Sequence, residues 1–561
     1  MTAPRPDRRT LLAALAGGAA VAGLAACSGG DAGTGRSSGT SAGDRGRVAA
    51  LRAPPLDAVT SDPFTLGVAS GDPDATSVVL WTRLAPDPGR GDGGMPAADA
   101  RVVWEVATDD SFRDLVATGT ATATADHGHS VHAVADGLAP DTRFRYRFRT
   151  GTHTSPVGRT RTAPRADDDS VTQLVLAAAS CQDFEAGYYV AHRALAAEAD
   201  LDLVLWLGDY IYEGGPTEGG VRRHTSAEVT TLDDYRRRYA LYGGDADLQA
   251  ARAAAPWIVI WDDHEVENNY AGLTPEKPAE SAAFPARRAA AYQAWWENQP
   301  TRLDPPKDGR LPGYRDLRWG TLAHLFALDT RQDRADQVCA IFPGADAGPI
   351  CPALENPDQV IIGTDQEKWL VDQLGQGGMD WNVIANQVVM SPVPVIGEDL
   401  PADALAAAAG TVGLSSIPSL DGLRGVLADQ WDGYPLQRQR ILDAMAGAMA
   451  PTVVLTGDIH ASAAGPLHAT AADPTSKVVG AEFVGTSISS ENGTFTSLLD
   501  SIFRPAFEYY QSDRRGYVRC EFTPKAATAT YVVVADARDP QSATSVDASF
   551  RVDPDRTFTR T

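Results

Sequence analysis

The chain has 561 residues and a formal charge of −24. At that length one hydrophobic core rarely serves the whole chain, so two or more domains are expected. The acidic balance excludes non-specific nucleic-acid binding, which needs Lys and Arg to neutralise phosphates, and a phosphate ester handled here would need cations at its site.

The opening stretch, "DRRTLLAALAGGAAVAGLAAC", runs from the pair Arg8 and Arg9 through a 16-residue apolar segment to Cys27. That segment is shorter than the roughly 20 residues a membrane-spanning helix needs. Residues 1–27 read as a twin-arginine export signal whose "LAAC" is a lipobox, with Cys27 as the lipidated residue. A signal cut elsewhere and an ordinary anchor are the alternatives. The reading predicts a lipid-anchored protein at the cell surface or in the periplasm, with the twin-arginine export machinery as a partner. Such export carries proteins that fold first, often around a metal. Residues 28–60 open Gly- and Ser-rich and read as a flexible linker.

Residues 61–165 carry "SVVLWTRL", "RVVWEVA" and "TRFRYRFRT", short strands separated by Asp, Gly and Pro. They predict a small all-β domain of immunoglobulin or fibronectin type. The Arg stripe of the last strand is either a solvated face or a phosphate-binding one.

Residues 166–561 alternate near-continuous apolar strands with helical stretches, the pattern of an α/β layered core. The strands are "VTQLVLAAAS", "LDLVLWL", "WIVIW", "LAHLFALD", "WNVIANQVVMS" and "TVVLT". Their ends carry chemistry: Cys181; Asp209; Asp262 to Glu265; Asp329 to Arg331; Asp458 and His460, with Asn386 and Gln387 read as lying inside the fifth strand. Ligands in such folds bind beyond the carboxyl ends of strands. The last strands, "GYVRCEFTP", "TYVVVAD" and "ASFRVDP", are expected to complete a second sheet. In an oxidising compartment Cys339 and Cys351, bracketing a short loop, make a plausible disulfide. Cys520 reads as a buried apolar residue, and the Ala-rich stretch 396–425 as an insert.

Taken singly, each motif reads equally well as a turn or a helix cap. Together, "GDYIYE", "TLDDYRRRYALY", "WDDHEVENN", "LDTR", "DQEKWL", "NQVVMS", "DQWDGYP" and "GDIHAS" resemble the blocks of the PhoD-like alkaline phosphatases within the metallophosphoesterases. The resemblance implies a four-layer sandwich of two mixed β-sheets flanked by helices, behind the small N-terminal sandwich. It implies an enzyme that hydrolyses phosphomonoesters, and some phosphodiesters, by attack of a metal-bound hydroxide.

Asp209 has two oxygens and can bridge two cations. Cys181 as thiolate, Tyr212 as phenolate and His460 as imidazole complete a mixed set that suits iron, and the family implies Fe(III) there. Asp263 and Asp458 are carboxylates that favour a hard cation, and the family implies Ca²⁺, shared with Asp209. Asn386 and Glu265 are either further ligands or structural caps. His264 either protonates the leaving alkoxide, as a catalytic partner of Asp209, or bonds a carboxylate ligand. Arg236, Arg238 and Arg331 are candidate phosphate clamps or structural ion pairs. No Ser is set up as a nucleophile. A monomer is expected. The rival readings are a phosphodiesterase or phospholipase-D-like enzyme acting on wall polymers or lipid headgroups, a cell-surface binding lipoprotein, and a solute-binding lipoprotein.

Overall fold

Strand Leu174–Ala179 shows how the layers arise, because successive side chains of a strand point to opposite faces. Leu174, Leu176 and Ala178 join an apolar cluster with Leu325, Val383 and Leu455, whereas Val175, Ala177 and Ala179 join another with Leu195, Tyr239 and Trp295. The first cluster lies between two sheets, and the second between a sheet and its helices. The structure, a computed structural model, describes residues 48–339, 347–349, 351–393, 425–492, 496, 500 and 503–561. The expected export signal with Cys27, residues 28–47 of the linker and residues 396–424 of the insert lie outside the described residues.

The first sheet has ten strands and the second seven. In the first, Leu174–Ala179, Leu203–Leu207 and Pro256–Ile260 run parallel. The second has Ala323–Ala327, Trp381–Ala385, Thr452–Thr456 and Val478–Val484, also parallel. Helices Val190–Ala197, Leu232–Gly243, Ala246–Arg252 and Phe284–Asn298 cover the outer face of the first sheet. Thr364–Leu374 and Pro435–Gly447 cover that of the second through Leu370, Leu374, Ile441 and Met445. Helix, sheet, sheet, helix is the four-layer order the resemblance implied. No helix among the described residues is long and apolar enough to cross a membrane.

Three expectations are corrected. Asn386 and Gln387 do not sit inside a strand: that strand ends at Ala385, and both residues lie just beyond it. The C-terminal strands Arg515–Thr523, Ala526–Val534 and Thr544–Val552 do not complete the second sheet. They extend the first, because Arg515–Thr523 pairs antiparallel with Leu174–Ala179 and covers what would otherwise be an open edge. Residues 61–165 do form a sandwich, yet it is not a separate body. Val68–Gly71 pairs parallel with Pro256–Ile260, so one of its two layers continues the ten-stranded sheet. Its other layer is the sheet of Ala100–Ala107, Leu115–Ala123 and Arg143–Thr150.

In that layer Phe144, Tyr146 and Phe148 point into the sandwich core with Leu80 and Val102. The intervening arginines face carboxylates: Arg147 Nε donates to Glu105 Oε2 at 2.8 Å and Arg149 Nη2 to Glu105 Oε1 at 2.6 Å. The stripe is therefore an ion-paired face, with Arg147 and Arg149 half-buried and Glu105 buried between them. Cys339 and Cys351 form a disulfide, and Cys520 is a free, buried thiol in the inter-sheet core.

Candidate active site and metal centre

The strand ends expected to carry chemistry meet at one place. Cys181 and Asp209 stand two residues past the strands ending at Ala179 and Leu207, Asp262 two past Ile260 and Asp458 two past Thr456. Their backbones turn sharply: Cys181, Asp209, Asp458 and His460 have φ of 58°, 57°, 68° and 51°. L-residues avoid this left-handed region, which costs of order 1–3 kcal/mol each and persists where the surroundings impose it. The glycines of the two Gly-Asp motifs are forced by closeness. A Cβ on Gly208, at φ +107°, would lie 2.5 Å from Asp262 Cβ, and one on Gly457 would lie 2.5 Å from Ser180 Oγ.

Buried polar groups lash these loops together. Glu265 accepts from the backbone N–H of Asp209 at 3.0 Å, Tyr210 at 2.6 Å and Asp262 at 2.8 Å, tying the ends of two strands. Gln387 donates to the carbonyls of Trp261 and Leu328 at 2.9 and 2.8 Å, bridging the two sheets. Glu482 accepts from Met390 and Ser391 N–H and from Thr456 Oγ1.

Within this frame three donor groups lie in a row: Cys181, Asp209 and His460; Asp209, Asp263 and His264; and Asp262, Asp263 and Asp458. The ligand atoms of each group lie within 4.8 Å of one another, and neighbouring groups share Asp209 and then Asp263. Tyr212 belongs with the first. Its hydroxyl donates to Asp209 Oδ2 at 3.1 Å, lies 3.0 Å from His460 Nε2 and accepts from Ser490 Oγ at 2.8 Å.

Burial holds the carboxyls of Asp209, Asp262 and Asp458 well above the usual range, and neighbouring carboxylates add to the effect. Burial likewise raises the Cys181 thiol and the Tyr212 phenol, each further opposed by the Asp209 charge. His460 is pushed down to about 3 by burial and by Arg515. Burial opposes ionisation of Asp263 too, but Arg331 and His264 hold it below the ordinary range. Burial pushes Glu265 up to about 7. Asp209 Oδ1 and Asp262 Oδ2 are buried and accept no hydrogen bond among the described residues. Such a set is unfavourable as bare anions, and a cation reverses the preferences of the Asp209, Asp262 and Asp458 carboxyls, the Cys181 thiol and the Tyr212 phenol. His460 already takes the neutral form and Asp263 the ionised form that a metal ion binds. The residues present therefore fit bound metal ions.

His264 stacks on Tyr212 with ring centroids 4.1 Å apart, and its Nδ1 donates to Glu213 Oε2 at 2.7 Å. Burial lowers its tendency to hold a proton, but Glu213, Asp263 and Asp209 outweigh this and raise it well above the ordinary value. Asn386 keeps its amide in contacts to Val388, Thr456 and Trp431.

The three arginines are engaged within the protein. Arg331 is fully buried, donating to Asp262 Oδ1 at 2.5 Å and to both oxygens of Asp429 at 2.8 and 3.0 Å. Arg236 pairs with Glu297, which belongs to none of the donor groups. Arg238 donates to the carbonyls of Tyr212, Gly214 and Ala227, bracing the Tyr212 loop from behind.

The PhoD-like phosphatase family matches residues 176–531. The chain belongs to that family. The companion family, described as the N-terminal domain of PhoD-like phosphatases, matches residues 50–164, so the family boundary falls where the sequence texture changes although the sheet runs across it. Alkaline phosphatase D of Bacillus subtilis (strain 168) is 46% identical over 513 residues, covering 89% of this chain and 82% of that protein. A solved structure titled "Structure of PhoD" matches with a TM-score of 0.80 at 44% identity, over 90% of this chain and 92% of the other. The purple acid phosphatase PPD1 of yellow lupin (Lupinus luteus) seeds shares the fold alone, with a TM-score of 0.50 at 10% identity over 87% and 73% of the two chains.

In this PhoD-like phosphatase, sequence reasoning passed over Glu213, Asp262 as a donor, Gln430 and Ser490. Gln430 Nε2 donates to Asp458 Oδ2 at 2.7 Å. Glu213 and Asp262 could have been found, since each adjoins a residue already singled out. Gln430 stands in the quoted block "DQWDGYP", which was given no role, and Ser490 carries no such signal.

Proposed function

We propose that this phosphatase is an exported, metal-dependent alkaline phosphatase that releases inorganic phosphate from phosphomonoesters and some phosphodiesters. Cys181, Asp209, Tyr212 and His460 would hold Fe(III), and Asp209, Asp263 and Asp458 would hold calcium, with Asp262 beside them. The observation that carries the reading is the run of three donor groups, each with two buried members and one half-buried, joined through Asp209 and Asp263. A thiol, a phenol and an imidazole at one end suit a Lewis-acidic transition metal, and the all-carboxylate other end suits a hard cation. When bound, such ions acidify a water enough for it to attack at working pH and screen the phosphate oxygens.

The chain's own residues supply placement. Asp209 and Asp263 each belong to two donor groups and so link the three into one run. Glu265 and Gln387 hold the loops that present them. His264 stands beside both carboxylates and is the group placed to give a proton to the departing oxygen. Export, lipidation at Cys27 and a monomeric state belong to the same proposal and rest on the sequence.

Plasma mass spectrometry of the purified protein, with phosphatase assays before and after chelation and calcium re-addition, tests the reading. One iron per chain plus calcium, with activity lost and then restored, is the expected result. Zinc alone, or activity indifferent to chelation, would overturn the ligand assignment. Comparing nitrophenyl phosphate with bis-nitrophenyl phosphate separates a phosphatase from a diesterase.

A further inference from the structure

We propose that the space between the two sheets opens, at one edge, into a binding site for a single-chain fatty acid, whose hydrocarbon lies between the sheets and whose carboxylate meets Arg315. This site is independent of the phosphatase reading above.

Packed sheets stand about 10 Å apart, and side chains from both must fill the gap. Over most of the layer they do, with Phe483, Phe522, Tyr531 and Phe550 among the residues that close it. Toward Arg315–Trp319, the edge strand of the second sheet, the facing residues are smaller. There Ala163, Ala327 and Ala385 leave a cavity of about 490 Å³, walled also by Leu205, Ile258 and Leu317. Protein interiors rarely hold voids larger than a water molecule, whereas roughly 300 to 1,000 Å³ is the range of ligand pockets. Apolar walls give water nothing to bond, and a space of this kind takes hydrocarbon instead. None of its lining residues belongs to the three donor groups, so it is distinct from the metal centre.

The rim selects the head group. It carries Arg302, Arg315 and Arg318 together with Asp72, Asp74 and Asp316. The carboxylates are engaged. Asp72 Oδ1 accepts from Arg315 Nε at 2.9 Å, and its Oδ2 accepts from Thr301 Oγ1 and the Arg302 backbone N–H at 3.0 and 2.7 Å. Asp316 Oδ2 lies 2.7 Å from His324 Nε2, and Asp74 Oδ1 accepts the backbone N–H of Ala75. The cations are less fully met. Arg315 Nη2 donates to the Val259 carbonyl at 2.9 Å, but its Nη1 is buried with no acceptor among the described residues. Arg302 donates to the Asp72 carbonyl and Ser77 Oγ, and Arg318 to Gln376 Oε1, all uncharged partners. A buried donor left without an acceptor is costly, and an ionised acceptor makes the stronger hydrogen bond. A carboxylate supplies that acceptor and the missing negative charge, an alcohol supplies the acceptor alone, and a quaternary ammonium supplies neither.

The test titrates the full metal-loaded protein by calorimetry with fatty acids from octanoate to palmitate, each below the concentration at which it forms micelles. One acid per chain is expected, with affinity rising about fourfold for each added methylene until the cavity is full and no further. Dodecanol should bind about tenfold more weakly than laurate, and dodecyltrimethylammonium should not displace laurate. Ala327→Phe places a ring in the cavity and should abolish binding, whereas Arg315→Gln should remove the preference for laurate over dodecanol. No saturable binding, an affinity that climbs with chain length without limit, equal binding of the three head groups, or unchanged laurate binding in Ala327→Phe would overturn the proposal. Should either variant fail to fold, the chain-length limit and the order of head groups, both measured on the wild type, still decide it.

Discussion

The hydroxyl of Tyr212 lies 3.0 Å from Nε2 of His460, although 248 residues separate the two in the chain. Tyr212 comes from the ten-stranded sheet and His460 from the seven-stranded one, so the iron site proposed here closes only when both sheets are in register. Replacing Tyr212 by Phe keeps the ring that stacks on His264 and removes the oxygen. Loss of even an outer-shell partner costs roughly 10–100-fold in metal affinity, so iron affinity should fall at least tenfold, and phosphatase activity with it. Metal analysis after dialysis against a weak chelator measures this. Iron retained at wild-type levels would remove Tyr212 from the ligand set.

Metal removal should make stability depend on pH in a definite direction. In the metal-free chain, burial raises the carboxyls of Asp209, Asp262 and Asp458 above their unfolded value of about 3.9. Above that pH the unfolded chain has released protons that the folded one still holds. Stability fully present in acid is therefore lost as pH rises through the raised folded values. Glu265, pushed up to about 7 by burial, carries the same trend to neutrality. Asp263 and His460 have the opposite sign. The change at Asp263 is complete in acid, below the window, and His460, pushed down to about 3, stays neutral in the folded chain from pH 5 to 8 with or without a bound metal, so neither alters the gap. Chelated protein should thus fall further behind native protein in Tm at pH 8 than at pH 5, by several degrees. A gap that does not change with pH would contradict it.

The order of blocks along the chain was enough to foresee which strand ends meet, because side chains at the carboxyl ends of parallel strands have few other places to go. Cys181, Asp209, Asp458 and His460 are legible in that way. The lashings are not. Glu265 looks like one more ligand in "DDHE", yet three backbone N–H groups claim its oxygens, and only the folded loops reveal them. Arg331 in "LDTR" looks available for phosphate until Asp429, 98 residues away, takes both of its terminal nitrogens. Sheet membership was lost for the same reason. Periodicity shows that Arg515–Thr523 is a strand, but the choice of Leu174–Ala179 as its neighbour is made by packing across the whole chain.

Gly208→Ala should be far more costly than an exposed Gly→Ala change. The new Cβ would lie 2.5 Å from Asp262 Cβ, at a φ of +107° that alanine avoids. Backbone strain of this kind costs about 1–3 kcal/mol, and relief would push apart the two loops bearing Asp209 and Asp262. A lower Tm together with lower bound metal is expected. If Tm falls while metal content and activity stay at wild-type levels, the glycine serves the fold and not the site.

Arg331 gives the sharpest separation between two roles for one residue. A phosphate clamp, when removed, raises KM and leaves the fold intact. A buried cation held between Asp262 and Asp429, with Asp263 3.8 Å away, does the reverse. Its removal strands carboxylates in a fully buried place, and breaking such a pair costs about 3–5 kcal/mol. Arg331→Met should therefore lower Tm and soluble yield, with the KM of any folded fraction close to wild type. The Asp429→Asn variant should be destabilised in the same sense, since it removes the partner of the same guanidinium. A variant of Arg331 with unchanged Tm and a KM raised roughly tenfold or more, the scale expected of a lost bidentate phosphate contact, would return the residue to the substrate.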